Sequence, residues 1–168
     1  MEIERKFTIK SLPDNLGQYP CRQIEQAYLN VNPVVRIRRE DDEYYLTYKG
    51  SGMLAREESN LPLNEKSYHH LLAKADGRII SKKRYLIPLD SPGFKEGFPA
   101  PPKDYTLTIE LDVFDPPLAP LIMAEVEFGS KEAAEAFLPP DWFDEDVTYN
   151  KAYHNSYMAL NSPEAMVP

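Results

Sequence analysis

Five segments of the chain carry charged residues two positions apart, mostly with an apolar residue between them. This recurrence constrains the fold more than any other feature of the sequence. In chain order the segments are Glu2-Ile3-Glu4, Arg36-Ile37-Arg38, Lys82-Lys83-Arg84, Glu110-Leu111-Asp112 and Glu125-Val126-Glu127. Successive side chains of a β-strand point to opposite faces, so each segment predicts a strand with one charged face. Short strands of this kind, separated by turns, predict a closed antiparallel barrel with flanking helices.

The N-terminal segment shows the pattern most clearly. In a strand, Glu2, Glu4 and Lys6 fall on one face, whereas Ile3 and Phe7 fall on the other. Two carboxylates one pleat apart can hold a hard divalent cation such as Mg²⁺ or Mn²⁺. Taken by itself, the segment fits a solvated edge strand better than it fits a metal site. The recurrence of charged faces downstream favours a shared function for them.

The charged faces are expected to point into the barrel, because helices with apolar stripes can cover the outside of the sheet. Such helices are predicted after the N-cap residues Asn64 and Ser130 and over residues 150–160. Isolated buried charges are too unfavourable for a dry interior. A wet interior, in which acids hold a metal and bases hold a polyanion, satisfies both sets of charges. The sequence therefore predicts a metal-bound polyphosphate as ligand.

Composition excludes several other classes of function. The formal net charge of -8 argues against broad binding to nucleic acids or anionic membranes. We expect no membrane span and no signal peptide, because the sequence contains no apolar run of sufficient length. A single cysteine, Cys21, excludes an internal disulfide and fits a cytoplasmic protein. The expected organisation is one domain over residues 1–160, as monomer or homodimer, with a flexible tail over residues 161–168.

These segments together resemble the CYTH or triphosphate tunnel metalloenzyme family. Glu2-Ile3-Glu4-Arg5-Lys6 is similar to the ExExK signature of that family. Later matches follow in order: Arg36-Ile37-Arg38, Thr47-Tyr48-Lys49, Lys82-Lys83-Arg84, Glu110-Leu111-Asp112, Glu125-Val126-Glu127 and Lys151. The resemblance extends over essentially the whole chain. It implies a mainly β (α+β) fold, an eight-stranded antiparallel tunnel with a charged lumen that binds a triphosphate and requires Mg²⁺ or Mn²⁺.

The resemblance also implies roles for individual residues. The catalytic residues are expected to be Glu4, Glu58, Glu127 and Arg84. The metal ligands are expected among Glu2, Glu4, Glu110, Asp112, Glu125 and Glu127. The phosphate-binding residues are expected to be Lys6, Arg36, Arg38, Lys49, Lys82, Arg84 and Lys151. Similar sequences often carry a glutamate at the position of Asn60, a departure that would weaken a second metal site or shift substrate preference.

Strand parity and helix position also predict which residues lie outside. Arg5, Arg39 and Lys83 fall on the opposite strand faces and should point away from the interior. The three histidines, His69, His70 and His154, fall on predicted helices and are expected at the surface.

The leading functional hypothesis is metal-dependent hydrolysis of inorganic triphosphate (tripolyphosphate) to pyrophosphate and phosphate. The doubled set of charges and the lack of an obvious base-recognition element favour this substrate. Two alternatives stay open: an adenylyl cyclase or a thiamine or nucleoside triphosphatase of the same fold, and a non-catalytic binder of polyphosphate or nucleotide. The charged interior disfavours a carrier of apolar ligands.

Overall fold

A computed structural model of the protein describes residues 1–161, so the predicted tail lies outside the described residues except for Asn161. The strands of this part of the chain are β1 (Glu2–Ile9), β2 (Cys21–Val31), β3 (Val34–Glu40), β4 (Glu43–Lys49), β5 (Ala55–Arg56), β6 (Glu58–Leu63), β7 (Asp76–Asp90), β8 (Gly93–Phe94), β9 (Thr106–Phe114), β10 (Ile122–Glu127), β11 (Phe137–Leu138) and β12 (Phe143–Asp146). The α-helices are α1 (Glu65–Leu72), α2 (Lys131–Ala136) and α3 (Asn155–Leu160). The predicted mainly β fold with flanking helices is confirmed.

One large antiparallel sheet contains most of the strands. Its order is β12-β1-β10-β9-β7-β2-β3-β4-β6, and β5 pairs with β1 away from this path. Only Glu57 separates β5 from β6. The segment from Ala55 to Leu63 therefore pairs with β1 through its first residues and with β4 through the rest. The strands β8 and β11 form a separate two-stranded sheet.

The register of this sheet brings charged residues from distant parts of the chain next to one another. Glu4 of β1 lies opposite Glu127 of β10, and Lys6 lies opposite Glu125. On the other side of β10, Glu125 lies opposite Glu110 of β9. Because side chains directly opposite each other share a face, these groups form one continuous charged surface.

Apolar residues of the opposite parity pack beneath two of the helices. Phe7, Leu111 and Val126 belong to a buried cluster that includes Ala133 and Ala134 of α2. A second cluster joins Ala27 and Ile37 to Tyr68 of α1. These helices cover the outside of the sheet, and the charged face is left inside.

The C-terminal helix packs differently. Met158 of α3 is buried against Ile80 and Met123, which have the same strand parity as the charged residues Lys82 and Glu125. Toward one end, the inward face of the sheet therefore changes from charged to apolar, and α3 packs against this apolar end. Among the described residues, no helix is long and apolar enough to cross a membrane.

The helix caps follow the sequence, but the C-terminal segment does not. Asn64 and Ser130 cap α1 and α2, because their side chains accept hydrogen bonds from backbone amides three residues later. The single helix predicted over residues 150–160 is wrong. The chain forms a 3₁₀ turn at Lys151–Tyr153, becomes extended at His154 and then starts α3. The strand β12, which pairs with β1, was not expected.

Candidate functional site

A cavity of about 400 Å³ lies against the charged inner face of the sheet. It brings together most of the predicted site residues, from strands far apart in sequence. Those lining it are Glu2, Glu4, Lys6, Arg36, Arg38, Lys49, Glu58, Arg84, Glu110, Glu125 and Glu127. The three residues predicted on the opposite strand faces lie outside the cavity. Arg39 and Lys83 are exposed, and Arg5 pairs with Asp146 at 2.8 Å.

Two lysines of the cavity form ion pairs with its acids, so their positive charges are balanced. The Nζ atom of Lys6 lies 3.0 Å from Oε1 of Glu125 and 3.2 Å from Oε1 of Glu4. Burial lowers the pKa of Lys6, but these two carboxylates outweigh burial and hold that pKa above its ordinary value. On the neighbouring wall, Nζ of Lys49 lies 2.8 Å from Glu2 and 3.3 Å from Glu58.

Arg84 is held rigidly by acids on β9. Its Nε and Nη2 atoms donate to the two carboxylate oxygens of Asp112 at 2.8 and 2.9 Å, and its Nη1 donates to Glu110 at 2.7 Å. A two-pronged contact of this kind fixes both the position and the plane of the guanidinium. Burial raises the pKa of Glu125, but Lys6 and Arg84 outweigh it and hold that pKa well below its usual range.

Arg36 and Arg38 have no carboxylate partner within salt-bridge distance in the described part of the chain. Each exposes 6% of its surface. Arg36 donates to Thr47 at 3.2 Å, and its buried Nε has no hydrogen-bond partner among residues 1–161. Burial, followed by the neighbouring charge of Arg38, lowers the pKa of Arg36. A buried cation without an anion is costly, so this half of the cavity is suited to an anionic ligand.

The opposite half of the cavity concentrates negative charge. Burial, and then the carboxylates of Glu2, Glu4 and Glu58, raise the pKa of Glu127 above its ordinary value. Like charges that face each other across strands are destabilising, and a divalent cation between them would relieve the repulsion. Carboxylate oxygens are the ligands that Mg²⁺ and Mn²⁺ prefer, so the donor set fits such an ion.

This half of the cavity is not already arranged around a metal ion. Within residues 1–161, no group of three acidic, histidine or cysteine residues surrounds a common point suitable for a metal. The ammonium groups of Lys6 and Lys49 take up Glu4 and Glu2 instead. A cation bound here would therefore share these carboxylates with the two lysines or displace them.

Three predicted site residues do not line the cavity. Lys82 and Asp112 are completely buried, and Nζ of Lys82 lies 2.8 Å from the Asp112 carboxylate. They form a layer between the cavity and the apolar end of the sheet, where Lys82 also lies over the ring of Phe114. Lys151 is exposed in its 3₁₀ turn. Their predicted roles as direct ligands of phosphate or metal stay predictions.

Residues outside the predicted catalytic, metal-binding and phosphate-binding sets also line the cavity. They are Arg22, Tyr28, Val34, Glu40, Tyr45, Arg56, Asn60 and His154 to Ser156. Arg56 and Asn60 share the parity of Glu58, and the period-two pattern predicts them on the same strand face. The surface position predicted for His154 is wrong: it is 8% exposed, and its Nε2 lies 3.0 Å from the carbonyl oxygen of Thr148. No sequence signal indicated that the backbone of His154 would be extended and that its ring would face the cavity.

The geometry can be compared with that of known proteins. The CYTH domain family matches residues 1–127. An inorganic triphosphatase from Nitrosomonas europaea is 37% identical over 165 residues, which cover 96% of this chain and 99% of that protein. The crystal structure of the inorganic triphosphatase NE1496 aligns with a TM-score of 0.66 at 34% identity, over 97% of each chain. HpAC1 from Hippeastrum, which has a dominant triphosphatase activity, aligns with a TM-score of 0.55 at 16% identity, over 80% of this chain and 83% of that one. The last likeness shows a shared fold and nothing further.

Proposed function

The chain belongs to the CYTH domain family, and from this membership we propose that it is a metal-dependent enzyme that hydrolyses inorganic triphosphate to pyrophosphate and phosphate. The Nitrosomonas europaea protein, similar over nearly its whole length, is an inorganic triphosphatase. The charged cavity is the site of this reaction.

One observation carries the proposal. Arg36 and Arg38 are buried with no carboxylate partner in the described chain, and they line the same cavity as a group of acids. A small polyanion that bridges the arginines to a cation held by the acids satisfies both halves at once. An inorganic triphosphate has this charge and needs no pocket for a base or sugar.

The metal is assigned to the acidic half. Glu2, Glu4 and Glu127 would hold Mg²⁺ or Mn²⁺, with Glu58, Glu110 and Glu125 next to them. When bound, such an ion neutralises phosphate oxygens and lowers the pKa of a coordinated water. Asp112 holds Arg84 rather than the cation, because both of its carboxylate oxygens accept hydrogen bonds from that guanidinium.

The chain's own basic residues position the substrate. Arg36 and Arg38 bind phosphate oxygens through guanidinium groups that no carboxylate occupies. Arg84, which Asp112 and Glu110 hold in one plane, stabilises charge on the leaving oxygen. Because Arg84 is held in place before substrate binds, its side chain needs little reorganisation during the reaction.

The sheet is proposed to close into an eight-stranded tunnel around this site. Seven of the strands are β1, β10, β9, β7, β2, β3 and β4, and the segment from Ala55 to Leu63 serves as the eighth. The pairings of β5 with β1 and of β6 with β4 support closure. A closed sheet leaves no exposed edge next to the charged interior.

Incubation of the purified protein with tripolyphosphate, ATP and thiamine triphosphate, each with Mg²⁺ and with Mn²⁺, tests the function. We expect phosphate release from tripolyphosphate to be fastest. Faster turnover of ATP or thiamine triphosphate would reassign the substrate, and cyclic AMP formed from ATP would indicate a cyclase. Tight binding without turnover of any of them would show a non-catalytic binder and refute the proposal.

A further inference from the structure

A buried amide on β2 contacts one of the two unpaired arginines. Gln26 is completely buried, and its Oε1 accepts a hydrogen bond from Nε of Arg38 at 2.8 Å. Its Nε2 donates to the hydroxyl of Tyr28 and to Oδ1 of Asn155, both at 3.3 Å. Gln26 thus connects Arg38 to the first residue of α3.

Asn155 extends this connection to the other side of the cavity. Its Oδ1 also accepts from Nζ of Lys82 at 3.0 Å. Lys82 is paired with Asp112, which in turn binds Arg84. A path of hydrogen bonds and one ion pair, that of Lys82 with Asp112, therefore runs from Arg38 to Arg84 through Asn155. This asparagine lies beyond residues 1–127, the part of the chain that the CYTH domain family matches.

The donors and acceptors along this path permit one arrangement of both amides. The guanidinium of Arg38 can only donate, so Gln26 presents its oxygen to Nε of Arg38. The Gln26 nitrogen is then left to donate to Oδ1 of Asn155, which also accepts from Lys82. The orientation of the guanidinium is therefore set by α3 and β7 as well as by its own strand.

A neutral partner suits a phosphate-binding arginine. A carboxylate would fix Arg38 equally well but would also neutralise it, as Asp112 does for Arg84. An amide oxygen orients the side chain and leaves its charge for the ligand. Because a long side chain loses conformational freedom on binding, orienting it beforehand strengthens binding.

We propose that Gln26 and Asn155 are positioning residues that orient Arg38 toward the phosphates, so that α3 completes the substrate site. This inference rests on the proposed function, since it concerns the same ligand. It adds to that function a requirement for the C-terminal segment.

A double-mutant cycle on the full chain tests the inference, with the Kd for tripolyphosphate measured by calorimetry. We expect Gln26→Ala to weaken binding about tenfold, the effect of one lost hydrogen bond to a charged group. In the Arg38→Ala background, the same substitution should change Kd by less than about twofold, because the group it orients is gone. An equal tenfold loss in both backgrounds would show a general effect on the fold and overturn the inference.

A matched control is available on the same strand. Gln23 is exposed and donates to Ser81 and Asp115 on the outside of the sheet. Gln23→Ala should leave Kd within about twofold of the original protein, and a tenfold loss would refute a specific role for Gln26. Thermal unfolding establishes that each variant is folded.

Asn155→Leu, combined with Arg38→Ala, provides a second and independent double-mutant cycle. This cycle tests the positioning role if Gln26→Ala does not fold. Asn155→Leu should also weaken binding only where Arg38 is present, and additivity with Arg38→Ala overturns the inference. If the original protein does not bind tripolyphosphate, the proposed function fails together with the inference. Binding by the original protein with additive cycles refutes the positioning role and leaves the proposed function intact.

Discussion

Two arginines in the same cavity have opposite consequences for stability. Arg84 makes a two-pronged contact with Asp112 and a further one with Glu110. Arg36 is as deeply buried, but within residues 1–161 it donates only to the hydroxyl of Thr47. Removing Arg84 leaves Glu110 without an ion-pair partner and Asp112 with Lys82 alone, whereas removing Arg36 relieves a buried cation that has no carboxylate partner in the described chain. We infer that Arg36 is retained for ligand binding at a cost in stability.

Arg36→Met should therefore raise the free energy of unfolding without ligand, by about 1–2 kcal/mol, because it removes an unsatisfied buried group. Arg84→Met should lower it by about 3–5 kcal/mol, as expected when one partner of a buried ion pair is removed. Both variants should bind tripolyphosphate more weakly. Urea denaturation and calorimetry measure these quantities, and a loss of stability in both variants would contradict the assignment.

The acidic half of the cavity predicts a response to divalent cations. Burial, and then repulsion by Glu2, Glu4 and Glu58, raises the pKa of Glu127, and a bound cation would remove that repulsion. Mg²⁺ or Mn²⁺ at about 100 times its Kd should stabilise the protein by about 2.7 kcal/mol, seen as a higher Tm.

Glu127→Gln is the matched variant for this response. Without metal it should have a Tm equal to or above that of the original protein, because one repelling charge is gone. Its gain in Tm on adding metal should be smaller, because one ligand is lost. An unchanged gain would remove Glu127 from the metal ligands.

At the scale of elements, one acidic side chain adds ion-pair and hydrogen-bond contacts to the backbone pairing of β12 with β1. Asp146 accepts from Nη2 of Arg5 at 2.8 Å and from the backbone amide of Thr148 at 2.9 Å. The hydroxyl of Thr148 in turn accepts from the backbone amide of Lys6 at 3.0 Å. This contact lies behind the strand that carries the N-terminal acids, and it holds the chain that leads to α3.

Asp146→Asn should lower the free energy of unfolding at neutral pH by about 1 kcal/mol, given that the side chain is partly exposed and solvent weakens its ion pair. Burial raises the pKa of Asp146, but hydrogen bonds from Thr148 and Arg5 bring it below its ordinary value of 3.8. Because the pKa of Asp146 is lower in the folded protein than in the unfolded protein, its carboxylate stabilises the fold above pH 3.8. This stabilisation is lost as the pH falls through the pKa of the folded state.

The difference between Asp146→Asn and the original protein should therefore be constant above about pH 5 and shrink as the pH falls below 3.8. Urea denaturation at several pH values measures it. A difference that grows toward low pH would show that Asp146 has the opposite effect on stability.

At the scale of the whole molecule, the contacts between neighbouring strands are very uneven. The strands β7 and β9 are paired in register from Lys82 to Asp90. The strands β1 and β5 are paired only at Glu2 with Arg56 and at Ile3 with Ala55. The ion pair of Lys49 with Glu2 also crosses this junction, and both residues line the cavity. The β1–β5 junction is therefore a weak strand pairing next to the cavity.

Amide hydrogen exchange should detect this weakness. The amide of Glu4 donates to the carbonyl of Leu54 at 2.9 Å across the junction, and it should exchange faster than the amides of β9. Tripolyphosphate with Mg²⁺ should slow its exchange, because the ligand contacts residues on both sides. Exchange of Glu4 as slow as that of β9 without ligand would show that the junction is not the weak point.

The strand faces were determined by the sequence itself. Side-chain parity is a local property with a period of two, so Glu4, Arg38 and Glu125 could be assigned to the interior, and Arg39 and Lys83 to the exterior, without knowing which strands are neighbours. The caps at Asn64 and Ser130 were local as well. The resemblance to the CYTH domain family, carried by these same residues, is confirmed.

Only the tertiary structure decided which partner each charge has. Arg36 and Arg84 look equivalent in sequence, yet Asp112 lies opposite Arg84 in the register and no carboxylate pairs with Arg36 in the described chain. Lys82 does not line the cavity, because it lies next to the apolar end of the sheet against which α3 packs. The packing of α3 also places Asn155 beside Lys82. Such pairings join residues far apart along the chain, so they depend on strand order and helix packing, which no local pattern contains.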